Sequence, residues 1–286
     1  MKGIILAGGA GTRLFPMTRS VSKQLIPVYD KPLIYYSLST LIYTGVKDIL
    51  CISTSNDQKA FKKLLGTGEQ FGVKINYEIQ NKPNGIAEAF LIAENFIKNS
   101  KSVLILGDNI FYGLENTKKL LKTSFKKGAR IFSCEVQDPS RYGVLNFNKN
   151  KITSIVEKPK NPSSNLAVTG LYFYDEKVTG IVKKLSPSKR SELEITDVNN
   201  TYISLNQIDN VIMNNNVVWL DAGTPSSLLQ ASQFVQTIQD RQNKIICSPE
   251  EASLKMKNYS FKDFNKILKS YPNNDYSNYL RKISKK

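Results

Sequence analysis

The chain has 286 residues, of which 41% are hydrophobic, and it carries a formal net charge of +16 with no histidine. This length suffices for one large α/β domain with its own core. The lack of histidine excludes a histidine-based triad and histidine-ligated metals, so an enzyme of this sequence must use carboxylates, lysine or an already nucleophilic substrate. Because the apolar runs are strand-sized and no basic-then-apolar segment opens the chain, we predict no membrane association, no signal peptide and a cytoplasmic location.

Strand and helix patterns alternate from the N-terminus onward. Strands are expected at 4–7, 48–53, 74–80 and 102–106, and helices at 34–44, 56–65 and 86–97. This order predicts an α/β fold, with a Rossmann-like, mostly parallel sheet flanked by helices on both faces. From residue 225 onward the pattern is helical. We therefore predict an α/β core over 1–224 and a C-terminal helical segment over 225–286 that serves packing or an oligomer interface.

The first strand ends in three glycines within four residues: Gly8, Gly9 and Gly11. Glycines let the backbone approach a ligand and direct several N–H groups at it, and the planar guanidinium of Arg13 suits phosphate oxygens. Leu14 stands where a Rossmann motif needs its third glycine, and the P-loop ending Gly-Lys-Ser/Thr is absent. The glycines alone are equally compatible with a ligand-free turn. Together with Arg13 and Lys23, they favour a polyphosphate site.

Two aspartates follow apolar runs. Asp108 comes directly after the predicted strand 102–106 and its glycine, and Asp221 follows the run 217–220. In open α/β sheets ligands bind at the carboxyl ends of the strands, and one or two carboxylates together with nucleotide phosphates form a typical Mg²⁺ site. By itself, Asp108 is equally compatible with capping the segment that follows it.

The positive charge allows two interpretations: a nucleic-acid-binding surface, or a solvated basic surface that also attracts anionic substrates. Lysines are spread through the chain without a long basic tract interleaved with aromatic residues, which favours the second interpretation, with no nucleic-acid partner. The three cysteines are far apart and odd in number, so we expect them to be reduced, buried residues that form neither a disulfide framework nor a zinc site. They are Cys51, Cys134 and Cys247.

Seven ordered sequence blocks resemble the family of glucose-1-phosphate thymidylyltransferases, which are sugar-nucleotide pyrophosphorylases. The blocks are 2–16, 22–39, 106–113, 136–145, 156–175, 192–199 and 219–224. GGAGTRL with its later lysine indicates only nucleotidylyltransferases in general, whereas SKQL, VTGLYFYD and ELEITDVN point to the thymidylyl branch. The resemblance implies the nucleotidyltransferase fold, a homotetramer built as a dimer of dimers, and Mg²⁺-dependent attack of glucose 1-phosphate on dTTP. The alternative within this class is a transferase that uses UTP or another hexose 1-phosphate.

The resemblance also implies a role for individual residues. The implied catalytic residues are Arg13, Lys23, Asp108 and Lys158. The implied nucleotide-binding residues are Leu6, Gly8, Gly9, Gly11, Thr12, Gln24, Gln80, Pro83 and Gly85. The implied sugar-phosphate-binding residues are Asn109, Tyr142, Gly143, Glu157, Lys158, Val168, Tyr172 and Arg190. The implied metal ligands are Asp108 and Asp221, while Val168 and Tyr172 are also compatible with a packing role alone.

Two departures from the family pattern fall where the family builds a second, regulatory nucleotide site. The segment after Gly113 is short, and 214–216 are asparagines where the family carries arginine and glycine. We therefore predict weak feedback inhibition by dTDP-rhamnose, the end product of the pathway that the family commonly supplies. Ala222 replaces a threonine beside the predicted metal ligand Asp221, and we expect this change to be tolerated.

Overall fold

The computed structural model describes residues 1–9, 11–114, 125, 127–149, 151–213 and 216–285. The strands are β1 (Lys2–Ala7), β2 (Pro27–Val28), β3 (Lys31–Pro32), β4 (Asp48–Ser53), β5 (Lys74–Ile79), β6 (Ser102–Leu106), β7 (Asn109–Tyr112), β8 (Ala129–Glu135), β9 (Gly143–Asn148), β10 (Lys151–Glu157), β11 (Leu166–Tyr174), β12 (Ile208–Ile212) and β13 (Val218–Asp221). The helices are α1 (Leu33–Tyr43), α2 (Gln58–Leu65), α3 (Glu88–Ile92), α4 (Glu94–Ile97), α5 (Val178–Val182), α6 (Ile195–Ser204), α7 (Pro225–Gln242), α8 (Pro249–Lys255), α9 (Phe261–Leu268) and α10 (Asp275–Ile283).

The central sheet runs in the order β10-β9-β11-β6-β1-β4-β5, and β8 pairs with both β11 and β12. β1 is parallel to β4 and β6, and β4 is parallel to β5, which confirms the predicted Rossmann-like part of the sheet. β11 runs antiparallel to β6, β8 and β9, an arrangement that the sequence did not predict. Leu6 of β1 lies beside Ile52 and Leu106, so the carboxyl ends of three strands meet at one edge.

Helices cover both faces of the sheet because successive side chains of a strand point to opposite sides. Ile5 and Ala7 of β1 pack into one apolar cluster together with side chains of α1 and α2. Ile4 and Leu6 pack into a second cluster with side chains of α3, α5 and α6. The resulting architecture is a mixed, mostly parallel sheet between two helical layers, as predicted.

Most predicted elements are found close to their expected bounds. The strands 48–53 and 102–106 match residue for residue, and α2 ends at Gly66 as expected. The expectation of one continuous helix over 86–97 is wrong. The structure divides it into α3 and α4 at Ala93, whose ψ of 1° interrupts the helical backbone.

The chain from Pro225 onward is helical, and it packs against the α/β part. Leu228, Ala231 and Val235 of α7 share an apolar cluster with Val28 and Tyr36. The division of the chain into domains at residue 224 stays a prediction. Within the described ranges no helix combines the length and the apolar character needed to cross a membrane. The predicted regulatory departures at 115–124 and at 214–215 lie outside the described residues.

Candidate active site

The glycine loop that follows β1 has a backbone that suits glycine. Gly9 has φ 100° and Gly11 has φ 57°, conformations that side chains with a Cβ rarely adopt. A short 3₁₀ turn, Thr12–Leu14, follows the loop and buries Leu14 while it leaves Arg13 exposed. The local sequence thus places one fixed positive charge beside a loop of accessible backbone, which is the arrangement expected of an anion site.

A cavity of about 240 Å³ lies over this loop. Its lining residues are Gly8, Gly9, Gly11, Thr12, Arg13, Leu14, Lys23, Gln24, Asp108 and Gly223. We call it the phosphate cavity. It brings together the predicted glycine loop, the predicted lysine and the aspartate after β6, because the ends of β1 and β6 are neighbours in the sheet.

A second cavity of about 170 Å³, here called the sugar cavity, adjoins the first. Its polar and charged lining includes Arg13, Asp108, Asn109, Arg141, Tyr142, Glu157, Lys158, Tyr172, Thr196, Asn199, Trp219 and Asp221, and Gly143 and Val168 also line it. Arg13 and Asp108 line both cavities. Two anionic ligands bound side by side would therefore meet at these two residues.

Asp108 is held as an anion between the two cavities. Lys23, only 9% exposed, forms an ion pair with its carboxylate, and Asn109 Nδ2 donates to Asp108 Oδ1 at 2.8 Å. Burial by itself would raise the pKa of Asp108, but the Lys23 ammonium and the Asn109 amide together lower it. The carboxylate is therefore anionic over the whole neutral range.

Asp221 lines the sugar cavity together with Asp108, but a different pair of strands positions it. Instead of ending a strand of the central sheet, it ends β13, which pairs with β7 in a separate two-stranded ribbon that sets Asp221 opposite Asn109. Tyr142 Oη donates to Asp221 Oδ1 at 2.9 Å, and Arg141 Nη2 donates to Asp221 Oδ2 at 3.0 Å. A side chain at Gly223 would meet Asp221 Oδ2 at 2.9 Å and Arg13 Nη2 at 3.2 Å, so these two charges lie close together.

Glu157 ends β10 and Lys158 follows it, and both line the sugar cavity. Glu157 Oε2 accepts a hydrogen bond from Thr196 Oγ1 at 2.7 Å, which holds the carboxylate in place. Lys158 adopts φ 46°, a backbone conformation that is uncommon for residues other than glycine, and its side chain is 50% exposed. Its N–H donates to the Tyr142 carbonyl at 2.9 Å, so this strand end is tied to the Tyr142 side of the cavity.

Arg190 lies outside the lining of both cavities. Its guanidinium donates to both carboxylate oxygens of Glu194, at 2.8 and 2.9 Å, and is 3.5 Å from Glu157 Oε1. In this structure Glu194 therefore neutralises Arg190. The role of Arg190 on a sugar phosphate stays a prediction.

The side-chain amide of Asn109 makes hydrogen bonds within the protein. It is 3% exposed, and its Oδ1 accepts from Trp219 Nε1 at 2.6 Å and from the Gly170 N–H at 3.0 Å, which joins β7 to β13 and β11. Val168 and Tyr172 on β11 are buried and line the cavity, so both positions serve packing and the cavity wall.

The residues of the predicted base segment line neither cavity, and the segment contacts the glycine loop where Gln80 lies against Gly8. Gln80 follows β5 and is 5% exposed, whereas Pro83 is exposed to solvent. Leu6 and Gln24 lie near the glycine loop: Leu6 is in β1, which precedes the loop, and Gln24 Nε2 is 3.5 Å from the Gly8 carbonyl oxygen.

Arg141, Thr196 and Asn199 were not predicted from the sequence, and neither was Glu88, whose carboxylate accepts a hydrogen bond from Gln80 Nε2 at 2.8 Å. Arg141 contacts Asp221, and Thr196 and Asn199 line the sugar cavity. The available signal for Arg141, Thr196 and Asn199 was their polar character within the blocks 136–145 and 192–199, whereas Glu88 lies outside all seven blocks.

A nucleotidyl transferase family model matches residues 2–238. A glucose-1-phosphate thymidylyltransferase of Neisseria meningitidis is 47% identical over 100% of both chains. The chain belongs to the nucleotidyl transferase family.

Solved structures of this family are similar to the chain. One from Bacillus anthracis, described as a glucose-1-phosphate thymidylyltransferase in complex with sucrose, has a TM-score of 0.76 and 42% identity over 82% of this chain and 94% of its own. A UDP-glucose pyrophosphorylase complexed with UDP-glucose has a TM-score of 0.72 and 23% identity over 82% of this chain and 98% of its own. At that identity the second likeness shows only the shared nucleotidyl transferase fold.

Proposed function

We propose that this chain transfers a thymidylyl group from dTTP to glucose 1-phosphate, releases pyrophosphate and depends on Mg²⁺. The observation that carries the proposal is the pair of adjoining cavities that share Arg13 and Asp108. One cavity has the glycine loop that suits a polyphosphate, and the other has hydrogen-bonding groups that suit a hexose. Its full-length relative in Neisseria meningitidis bears the name of this activity.

The lack of histidine fits this chemistry. The second pKa of a phosphate monoester lies near 6, so the attacking oxygen of a sugar 1-phosphate is already anionic at neutral pH and needs no general base. The protein must instead bring two anions together and stabilise the charge that builds up on the α-phosphate. Catalysis is then positioning plus electrostatic stabilisation, as in other phosphoryl transfers.

The cationic side chains are distributed to match these tasks. Lys23 lines the phosphate cavity, Lys158 lines the sugar cavity, and Arg13 lines both. We assign Lys23 to the α-phosphate, Arg13 to the leaving pyrophosphate and Lys158 to the sugar phosphate. The carboxylate of Glu157, held by Thr196, is placed to accept hydrogen bonds from sugar hydroxyls.

The carboxylates of this region fit Mg²⁺. Asp108 and Asp221 line the same cavity, and the low pKa of Asp108 keeps it anionic. The described part of the chain holds no group of three or more candidate metal-ligating side chains, and Mg²⁺ bound with nucleotide phosphates needs only one or two carboxylates. Asp108 and Asp221 would hold the ion, which when bound neutralises phosphate charge.

The proposal predicts a definite order of substrates. We expect pyrophosphate release from dTTP with glucose 1-phosphate, slower release from UTP, and negligible release from ATP or GTP. UTP differs from dTTP in two ways: its base lacks the methyl group, and its sugar carries a 2′-hydroxyl. A missing methyl group changes the free energy that discriminates two substrates by roughly 1–3 kcal/mol. A coupled pyrophosphate assay across these nucleotides and several hexose 1-phosphates tests the order. Absence of release from dTTP, with EDTA making no difference, would contradict the proposed function, and a preference for ATP or GTP would contradict the base assignment.

We also propose that the enzyme is a cytoplasmic homotetramer that supplies a dTDP-rhamnose pathway, as the family resemblance implies. The C-terminal helices expose the apolar side chains of Leu229 and Phe261, which are suited to contacts between copies. Sedimentation velocity should give a mass of about four chains, and substitution of both residues by serine should reduce that mass. A monomer at micromolar concentration would contradict the tetramer.

A further inference from the structure

The side-chain amide of Gln80 is held in one orientation. Its Nε2 donates to Glu88 Oε2 at 2.8 Å and to the Gly85 carbonyl oxygen at 3.3 Å. A carboxylate and a carbonyl oxygen accept hydrogen bonds and cannot donate them. The NH₂ end of the amide must therefore face these two partners, and Oε1 must face away from them.

Oε1 of Gln80 lies against the glycine loop. A side chain at Gly8 would collide with this oxygen, so Gly8 leaves the space that Oε1 occupies. Gly8 also lines the phosphate cavity. The amide oxygen of Gln80 thus lies next to the loop that would hold the nucleotide.

Glu88 is itself fixed from its other side. Asn84 Nδ2 donates to Glu88 Oε1 at 2.7 Å, so the two carboxylate oxygens bind two different amides. The surrounding backbone is tied down as well, because the Leu193 N–H donates to the Asn84 carbonyl at 2.6 Å and the Ala87 N–H donates to the Leu193 carbonyl at 3.1 Å. Rotation of the Gln80 amide would set its oxygen against the Glu88 carboxylate, with no donor between them.

We propose that Glu88 is a positioning residue for base specificity: by holding the Gln80 amide oxygen toward the nucleotide, it selects bases that present an N–H donor. Thymine and uracil present such a donor at N3, whereas N3 of cytosine is an acceptor and would face Oε1 with no hydrogen atom between them. This inference rests on the proposed function for the location of the base. The inference explains how Glu88, without touching the base, can favour thymine and uracil over cytosine.

The test compares dTTP with dCTP, which share the sugar and the triphosphate. Glu88→Gln keeps the size of the side chain but offers a donor as well as an acceptor, so it tolerates either orientation of the Gln80 amide. We expect the ratio of dTTP to dCTP affinity, measured by calorimetry, to fall about 10-fold, on the scale of one hydrogen bond. Glu94→Gln is the matched control, because Glu94 on α4 is exposed and paired with Lys183 and lines neither cavity.

A second variant guards against a folding defect of Glu88→Gln. Asn84→Ala removes a contact to Glu88 from an exposed position and should lower the same ratio about 3-fold. An unchanged ratio in both folded variants, or wild-type protein that binds dTTP and dCTP equally, would overturn the proposal. Because binding is measured apart from turnover, wild-type protein without thymidylyl transfer would contradict the proposed function while the affinity ratio still decides the role of Glu88.

Discussion

Replacing Asp108 with asparagine should lower kcat by about 10²–10³-fold, the scale observed when one preorganised electrostatic group is lost. Asp108 lines both cavities, pairs with the buried Lys23, and is one of the two carboxylates that fit Mg²⁺. The substitution removes a negative charge at the point where the two substrates would meet. It also leaves the Lys23 charge without its ion-pair partner.

Steady-state rates over a Mg²⁺ titration measure this effect. Asp209→Asn is the matched control, since Asp209 is 55% exposed and pairs with Arg130 on the sheet, away from both cavities. Thermal unfolding of each variant separates a lost catalytic group from a lost ion pair. Wild-type rates for both Asp108→Asn and Asp221→Asn at limiting Mg²⁺ would rule out the metal assignment.

Removing the guanidinium of Arg13 should have an effect of similar size. In Arg13→Ala we expect kcat to fall by about 10²–10³-fold, because Arg13 is the cation that lines both cavities and is assigned to the leaving pyrophosphate. Arg13→Lys should recover only part of the rate, since an ammonium keeps the charge but loses the planar fork that matches phosphate oxygens. Single-turnover measurements with dTTP and glucose 1-phosphate test both variants.

The control for Arg13 lies six residues further along the chain. Arg19 is exposed at the end of the 3₁₀ turn Met17–Arg19 and lines neither cavity, so Arg19→Ala should retain the wild-type rate. If Arg13→Ala kept a rate within a few-fold of that control, the leaving group would have to be stabilised by other residues.

The parallel part of the sheet was predictable because its signals are local. The strands β1, β4, β5 and β6 are short apolar or alternating runs between helical patterns, and parallel pairing sets their carboxyl ends at one edge. The break at Ala93 was not predictable from the periodicity. The antiparallel β11 was also missed, since its partners β6, β8 and β9 are separated from it along the chain.

Within the candidate site, Asp108 lies after the predicted strand 102–106 and its glycine, as the local pattern located it, whereas Lys23 lies on the turn Lys23–Leu25, which the local pattern did not predict. Asp221 lines the sugar cavity, and its position there depends on the pairing of β13 with β7. Arg190 pairs with Glu194, four residues further along the chain, and lines neither cavity, and its assigned contact with the sugar phosphate stays a prediction.

By itself, the sequence determined the chemistry available to this protein: a glycine loop after a buried strand, the charges of Arg13 and Lys23, two aspartates after apolar runs, and the absence of histidine. These are properties of residue type and short-range order. Only the tertiary structure decided that the two cavities share Arg13 and Asp108, and that Glu88 fixes the amide of Gln80. The physical reason is that cavities and side-chain hydrogen bonds form between segments that the fold brings together. The local periodicity of the sequence does not specify the geometry of those contacts.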